Sequence, residues 1–192
     1  MEEAIRSISD PELLSQIERV VPFHGYLSTG VFVGIQIFNI ARRTLGFPEG
    51  ERLFVTCETF SCMPDAFQVL GGCTIGNGRL RIEDRGKMAA TISRRALQGT
   101  TRVKGVRIVL DPAKTASYPR LHSWYMNIKK VPHEKAISDL IRAGDGIYTC
   151  EIVDVEMPEK SKKRIAVCGD CGESFVLLED ERLCRSCAER SS

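Results

Sequence analysis

No run of apolar residues in this 192-residue chain approaches the roughly 20 needed to cross a bilayer's hydrocarbon core. Charge of one sign is missing too. Lys and Arg number 27 against 25 Asp and Glu, a net of +2, so bulk electrostatics announces neither nucleic acid nor an anionic membrane as partner. There is no internal repeat, and no spacing from which a nucleophile, a base and an orienting group can be picked out, so catalysis in its own right is the least supported reading, which leaves it open whether the chain is an enzyme. The opening residues, MEEAIRSISDPELL, are acidic and amphipathic, unlike a basic signal peptide. The expectation is a soluble, cytoplasmic protein.

Cysteine, by contrast, is plentiful, at eight residues. Four stand in two C-x-x-C pairs, Cys168-Gly-Asp-Cys171 and Cys184-Arg-Ser-Cys187, separated by twelve residues. In a reducing compartment such pairs point to metal ligands rather than disulfides. Twelve residues suffice for a hairpin that brings four thiolates to one tetrahedron. A four-thiolate shell leaves zinc no open position for water, so the ion is structural; rubredoxin-like iron shares the spacing. Gly172 permits the tight turn behind the first pair, and Phe175, Val176, Leu177 and Leu178 supply a strand. So short a segment cannot bury enough apolar surface alone. Metal coordination, worth about 10–16 kcal/mol in zinc-finger peptides, replaces the missing core. Between Glu159 and Arg190 seven basic and seven acidic side chains cancel. Docking or structural use of the ribbon is therefore favoured over nucleic-acid contact, which rests on local Lys and Arg.

Upstream, Ser9 or Asp10 can cap a helix beginning at Pro11, with Leu13, Leu14, Ile17, Val20 and Val21 as its apolar stripe. Ser28 or Thr29 can cap a second, mostly apolar and hence buried helix to about Leu45, stopped by Gly46 and Pro48. In it Gly30 and Gly34 share a face, which lets another backbone approach closely. Arg52–Thr59 has strand composition, and Pro64 opens a short helix, PDAFQVLG. Further strands are expected at Arg79–Glu83, Met88–Ser93, Arg102–Leu110 and Ile147–Val155, and helices at Ser117–Lys130 and Pro132–Ala143. The sum is an α+β core with an antiparallel sheet and packed helices over residues 1–156, a basic linker at 157–164 and the zinc ribbon at 165–192.

His24 stands in a glycine-flanked loop just ahead of the buried helix, at that helix's positive end. Cys62 falls at a strand-to-helix turn, where a helix N-terminus can lower a thiol's pKa and suit it to bind metal or act as a nucleophile. Singly, each has a plainer explanation as an ordinary hydrogen-bonded histidine or a small core hydrophobe. His122, His133, Cys57 and Cys150 are assigned to packing or surface. Glycines around Cys73 let the chain turn its sulfur toward Cys62, which leaves a redox pair open.

The two stretches HGYLSTG (24–30) and ETFSCMPDAFQVLGGCTIGNG (58–78) resemble the FmdE family, the E-type subunits of formylmethanofuran dehydrogenase, whose members carry a loop like HGHxCPG and a later stretch like ExxxCxxDAxQxxxGCTxGxG. Glu58, Cys62, Asp65, Ala66, Gln68, Gly72, Cys73, Thr74, Gly76 and Gly78 fall in step, and Asp84-Arg85-Gly86-Lys87 resembles DxGK. Tyr26 and Ser28 stand where the family loop has its second His and its Cys, and both are poor ligands for a soft metal. The resemblance implies an α+β homodimer with a core cleft whose candidate ligand-binding residues are His24, Glu58, Cys62, Asp65, Cys73 and Lys87, with room there for a second metal. It also implies an accessory role beside a molybdenum or tungsten enzyme complex of one-carbon metabolism, since nothing in the chain resembles a pterin or iron–sulfur site. The alternative is a regulator or adaptor whose ribbon grips nucleic acid or a protein while the cleft is a relic.

Overall fold

The computed structural model describes residues 8–48, 50–95, 100–156, 164–177 and 181–190. The chain divides into two compact units, Met1–Met157 and Pro158–Ser192. The linker expected at 157–164 lies outside the described residues except for Arg164, as does Leu178 of the expected ribbon strand. No helix of the described residues is long and apolar enough to cross a membrane.

In the first unit, helix α1 (Pro11–His24) is opened by Asp10, whose carboxylate accepts the N–H of Glu12 at 2.9 Å, and Gly25 ends it at φ +98°. Helix α2 (Thr29–Leu45) is capped by Ser28, whose hydroxyl accepts the N–H of Val31 at 3.2 Å. Twelve of its residues are buried, as a helix apolar on all sides must be. Its buried Gln36 is satisfied at both ends, donating to the Leu140 carbonyl at 3.1 Å and accepting from the Tyr148 hydroxyl at 2.8 Å.

Five strands form one sheet: β1 (Leu53–Cys57), β2 (Leu80–Ile82), β3 (Ala89–Arg94), β4 (Arg102–Leu110) and β5 (Tyr148–Glu156), in the order β2-β1-β3-β4-β5. The β1–β3, β3–β4 and β4–β5 pairings are antiparallel as expected, whereas β1 and β2 run parallel. The cause is helix α3 (Pro64–Gly71), which lies between them in the chain and returns it to the starting end, as a crossover must. Val55, Ile92 and Val106 stand in register across β1, β3 and β4 and are all but inaccessible, beneath α2 and α3.

At Gly34 helix α2 packs tightly against the start of α3. A Cβ placed there would lie 2.5 Å from the Met63 carbonyl oxygen and 2.8 Å from Ala66 Cβ; one on Gly30 would lie 3.2 Å from Cys62 Cβ. The glycine pair thus seats the 62–66 turn against the start of α2 and so positions Cys62 and Asp65.

The helix expected at Ser117–Lys130 is shortened to α5 (Pro119–Tyr125), and a separate turn of helix, α4 (Pro112–Thr115), precedes it. Pro119 keeps Tyr118 out of helical geometry, and Asn127, at φ 52°, turns the chain out before Lys130. Helix α6 (His133–Ala143) follows, beginning one residue after its expected proline. In the second unit β6 (Arg164–Val167) and β7 (Ser174–Leu177) form an antiparallel hairpin, followed by α7 (Arg185–Arg190).

Candidate functional site

In the second unit Cys168 follows β6, Cys171 stands beside the Gly172 turn (φ +73°), and Cys184 and Cys187 flank the start of α7. Their four sulfurs lie within 4.8 Å of one another, and Cys171 Sγ is 3.9 Å from Cys184 Sγ. That is far beyond a disulfide bond of about 2.05 Å. It is close to the edge of about 3.8 Å expected for a tetrahedron with metal–sulfur bonds of about 2.3 Å. The N–H of Cys184 donates to Cys168 Sγ at 3.3 Å. That bond first, and then the amides of Cys171 and Asp170, hold the Cys168 thiol down to about 6. Arg190 donates to Cys187 Sγ at 2.9 Å. Cys168 and Cys187 are buried, Cys184 is half-buried and Cys171 is exposed, and together the four sulfurs form a donor set that can hold a metal ion.

In the first unit, His24 closes the last turn of α1 and its Nδ1 lies 2.7 Å from Oδ2 of Asp65, in the first turn of α3. Gln68 Nε2 steadies the other carboxylate oxygen at 3.1 Å. An ionised carboxylate only accepts, so it is Nδ1 that carries a proton, and the tautomer this selects is the one in which Nε2 offers the lone pair. That Nε2 is buried and has no hydrogen-bond partner among the described residues. A carboxylate-oriented imidazole with its second nitrogen bare is the arrangement used by metal-ligating histidines. Cys62, half-buried, belongs to the same turn, its carbonyl accepting the Asp65 N–H at 3.3 Å.

The Tyr26 ring lies 5.1 Å from that of His24 and 5.8 Å from that of His133. His133 Nδ1 in turn meets Thr29, the first residue of α2, at 2.7 Å from its hydroxyl and 3.2 Å from its N–H. His133, expected to serve packing or surface, therefore stands in the neighbourhood of His24. A separation of 104 residues between His133 and Thr29 leaves no local signal of this.

The remaining candidates are engaged elsewhere. Glu58, 3% exposed, is gripped by Arg107 through bonds of 2.6 and 2.9 Å, and the guanidinium holds its carboxyl below the usual range. Arg107 has no place among the sequence-derived candidates, because nothing local marks which strand residue faces Glu58. Lys87 is exposed, and it is its backbone N–H that reaches the Glu58 carbonyl, at 3.1 Å. Cys73 lies in the core with its thiol 3.3 Å from the carbonyls of Leu53 and of Gly71, and burial pushes it up to about 11. Among the described residues the ribbon sulfurs are the one group of three or more His, Cys, Asp or Glu ligand atoms that converge.

Residues 23–155 match a family model described as "FmdE, Molybdenum formylmethanofuran dehydrogenase operon". The crystal structure of a tungsten formylmethanofuran dehydrogenase FmdE-like protein from Syntrophus aciditrophicus is similar to this chain with a TM-score of 0.75 and 30% identity, over 97% of this chain and 96% of that one. An Archaeoglobus fulgidus protein named "Probable S-adenosyl-L-methionine-binding protein" is 35% identical over 106 residues, 52% of this chain. The match spans 28% of that relative's length, and the name describes the relative as a whole.

Proposed function

The chain belongs to the FmdE family, and from that premise we propose that it is a zinc-carrying accessory protein of one-carbon metabolism, with a ligand site in its core at His24. The ribbon's four soft thiolates suit zinc above hard cations, and the ion's part there is to hold the small unit folded.

One observation carries the core site: a buried Nε2 with no partner. A buried polar atom left unpaired costs about 1–3 kcal/mol, a cost that a bound metal or hydrogen-bond donor would remove. His24 Nε2 and the Cys62 thiol are the groups a soft metal would meet, and Asp65 orients the ring rather than touching the ligand. A metal there would polarise whatever completes its coordination.

Metal analysis tests this reading. A Cys168→Ser/Cys184→Ser variant is expected to lose the ribbon zinc while keeping a weaker equivalent or a small-molecule adduct, visible by native mass spectrometry. His24→Ala should then remove that remainder. If His24→Ala changes neither metal content nor adduct mass, the core is not a ligand site. The homodimer implied by the family belongs to the same proposal, and sedimentation at twice the monomer mass would support it.

A further inference from the structure

The first unit contains a cavity of about 540 Å³ whose walls include none of His24, Cys62 or Asp65. Pockets for small organic molecules run from roughly 300 to 1,000 Å³, so this one has room for a ligand. Its floor is apolar. Phe38 and Phe47 meet edge to face at 5.8 Å, and Leu53 beside them is fully buried.

The walls are cationic. Arg19, Arg42, Arg52 and Arg79 line the cavity with Glu12 and Glu51; Arg19 donates to the Val69 carbonyl at 3.4 Å, and Arg52 and Arg79, +2 together, have no ion-pair partner among the described residues. Both carboxylates are already committed, Glu12 to Arg42 and Glu51 to Arg94, which lies outside the walls. Arg79 spends one N–H on the Gly72 carbonyl at 2.6 Å, which stabilises the end of α3 but neutralises no charge. Capping does not account for Arg52. It is exposed, sits ahead of β1 rather than at a helix end, and makes no hydrogen bond or ion pair among the described residues.

A guanidinium presents five N–H groups in a planar fork matched to phosphate and carboxylate oxygens. A phosphomonoester carries about −1.5 to −2 at neutral pH, which matches the charge excess of the walls better than a single carboxylate does. We propose that this cavity binds a phosphate-bearing small molecule with an apolar body, its phosphate against Arg52 and Arg79 and its body on Phe38, Phe47 and the partly buried Leu70. The site is independent of His24, so either reading can fail without the other.

Phenyl phosphate is the probe, titrated calorimetrically into the full zinc-loaded chain at low salt, with phenol and inorganic phosphate as its two halves. Binding at least tenfold tighter than either half is expected, with a tenfold loss in Arg52→Gln, partial recovery in Arg52→Lys and no change in His24→Ala. Nuclear Overhauser contacts between the phenyl protons and Phe38 or Phe47 should accompany it in the wild-type chain. The proposal is overturned if phenyl phosphate does not bind, if inorganic phosphate binds as tightly, if Arg52→Gln binds like wild type, or if those ring contacts are missing.

Discussion

One added methyl group at Gly34 should unsettle the seat of the core site. The new Cβ would sit 2.5 Å from the Met63 carbonyl oxygen and 2.8 Å from Ala66 Cβ, about an ångström inside the optimal separation of roughly 3.5–4.0 Å. The nearest obstacle is backbone, which cannot swing aside as a side-chain tip would. Overpacking of this kind costs about 1–3 kcal/mol, and a backbone obstacle places Gly34→Ala at or slightly above the upper end. Alanine's helix preference over glycine returns about 1 kcal/mol, leaving a net loss of about 2 kcal/mol. For a unit of this size that lowers the melting temperature by about 4–8 °C. Gly30→Ala is the control. Its nearest neighbour is Cys62 Cβ at 3.2 Å, which need give only a little, so the helix gain roughly cancels the strain. Urea unfolding followed by the fluorescence of the single tryptophan, Trp124, measures both. Equal stabilities for the two variants would refute the claim that α3 is seated on Gly34.

Three further outcomes follow from the same geometry. Because Arg107 holds Glu58 below its unfolded value of 4.5, that stabilisation is full above about pH 4.5 and disappears as pH falls through the folded value. Glu58→Gln should flatten the acid limb of the stability curve and cost roughly 2–3 kcal/mol at pH 7, less than a fully buried pair because Arg107 is partly exposed. Superimposable limbs for variant and wild type would remove the pair from the stability account. Iodoacetamide at pH 8 should label exposed Cys150 in the folded chain, while Cys57 and Cys73, both pushed to about 11 by burial, react only on unfolding. Peptide mapping that finds the three labelled at one rate would show the core to be open. A strong chelator should melt the hairpin of Arg164–Leu177 and leave the resonances of the first unit in place, since each unit is compact by itself. Simultaneous loss of both would contradict that division.

Legibility in the sequence followed the range of the interactions. Caps and stops act within a turn, so Asp10, Ser28, Gly46 and Pro64 mark helix ends from local composition alone. The C-x-x-C pairs are equally local, and they place four sulfurs together once a hairpin forms. What escaped was whatever depends on tertiary neighbours. Residue types alone do not show that Glu58 finds Arg107 across 49 positions, that β2 returns parallel to β1, or that His133 reaches Thr29. Cys73 sits in a stretch rich in family resemblance, yet its sulfur faces backbone carbonyls in the core. Matching residue types in step do not report which way a side chain points.

The bond between Thr29 and His133 joins segments 104 residues apart, and Gln36 reaches Leu140 and Tyr148 over 104 and 112. During synthesis, the opening of α2 must therefore wait until the 104 residues from Thr29 to His133 have left the ribosome before that partner arrives. Until then this largely buried helix lacks the polar anchors that His133, Leu140 and Tyr148 supply. Nascent chains halted between α2 and α6 should accordingly be the ones that chaperones hold longest, and separately expressed halves divided there should assemble only when mixed.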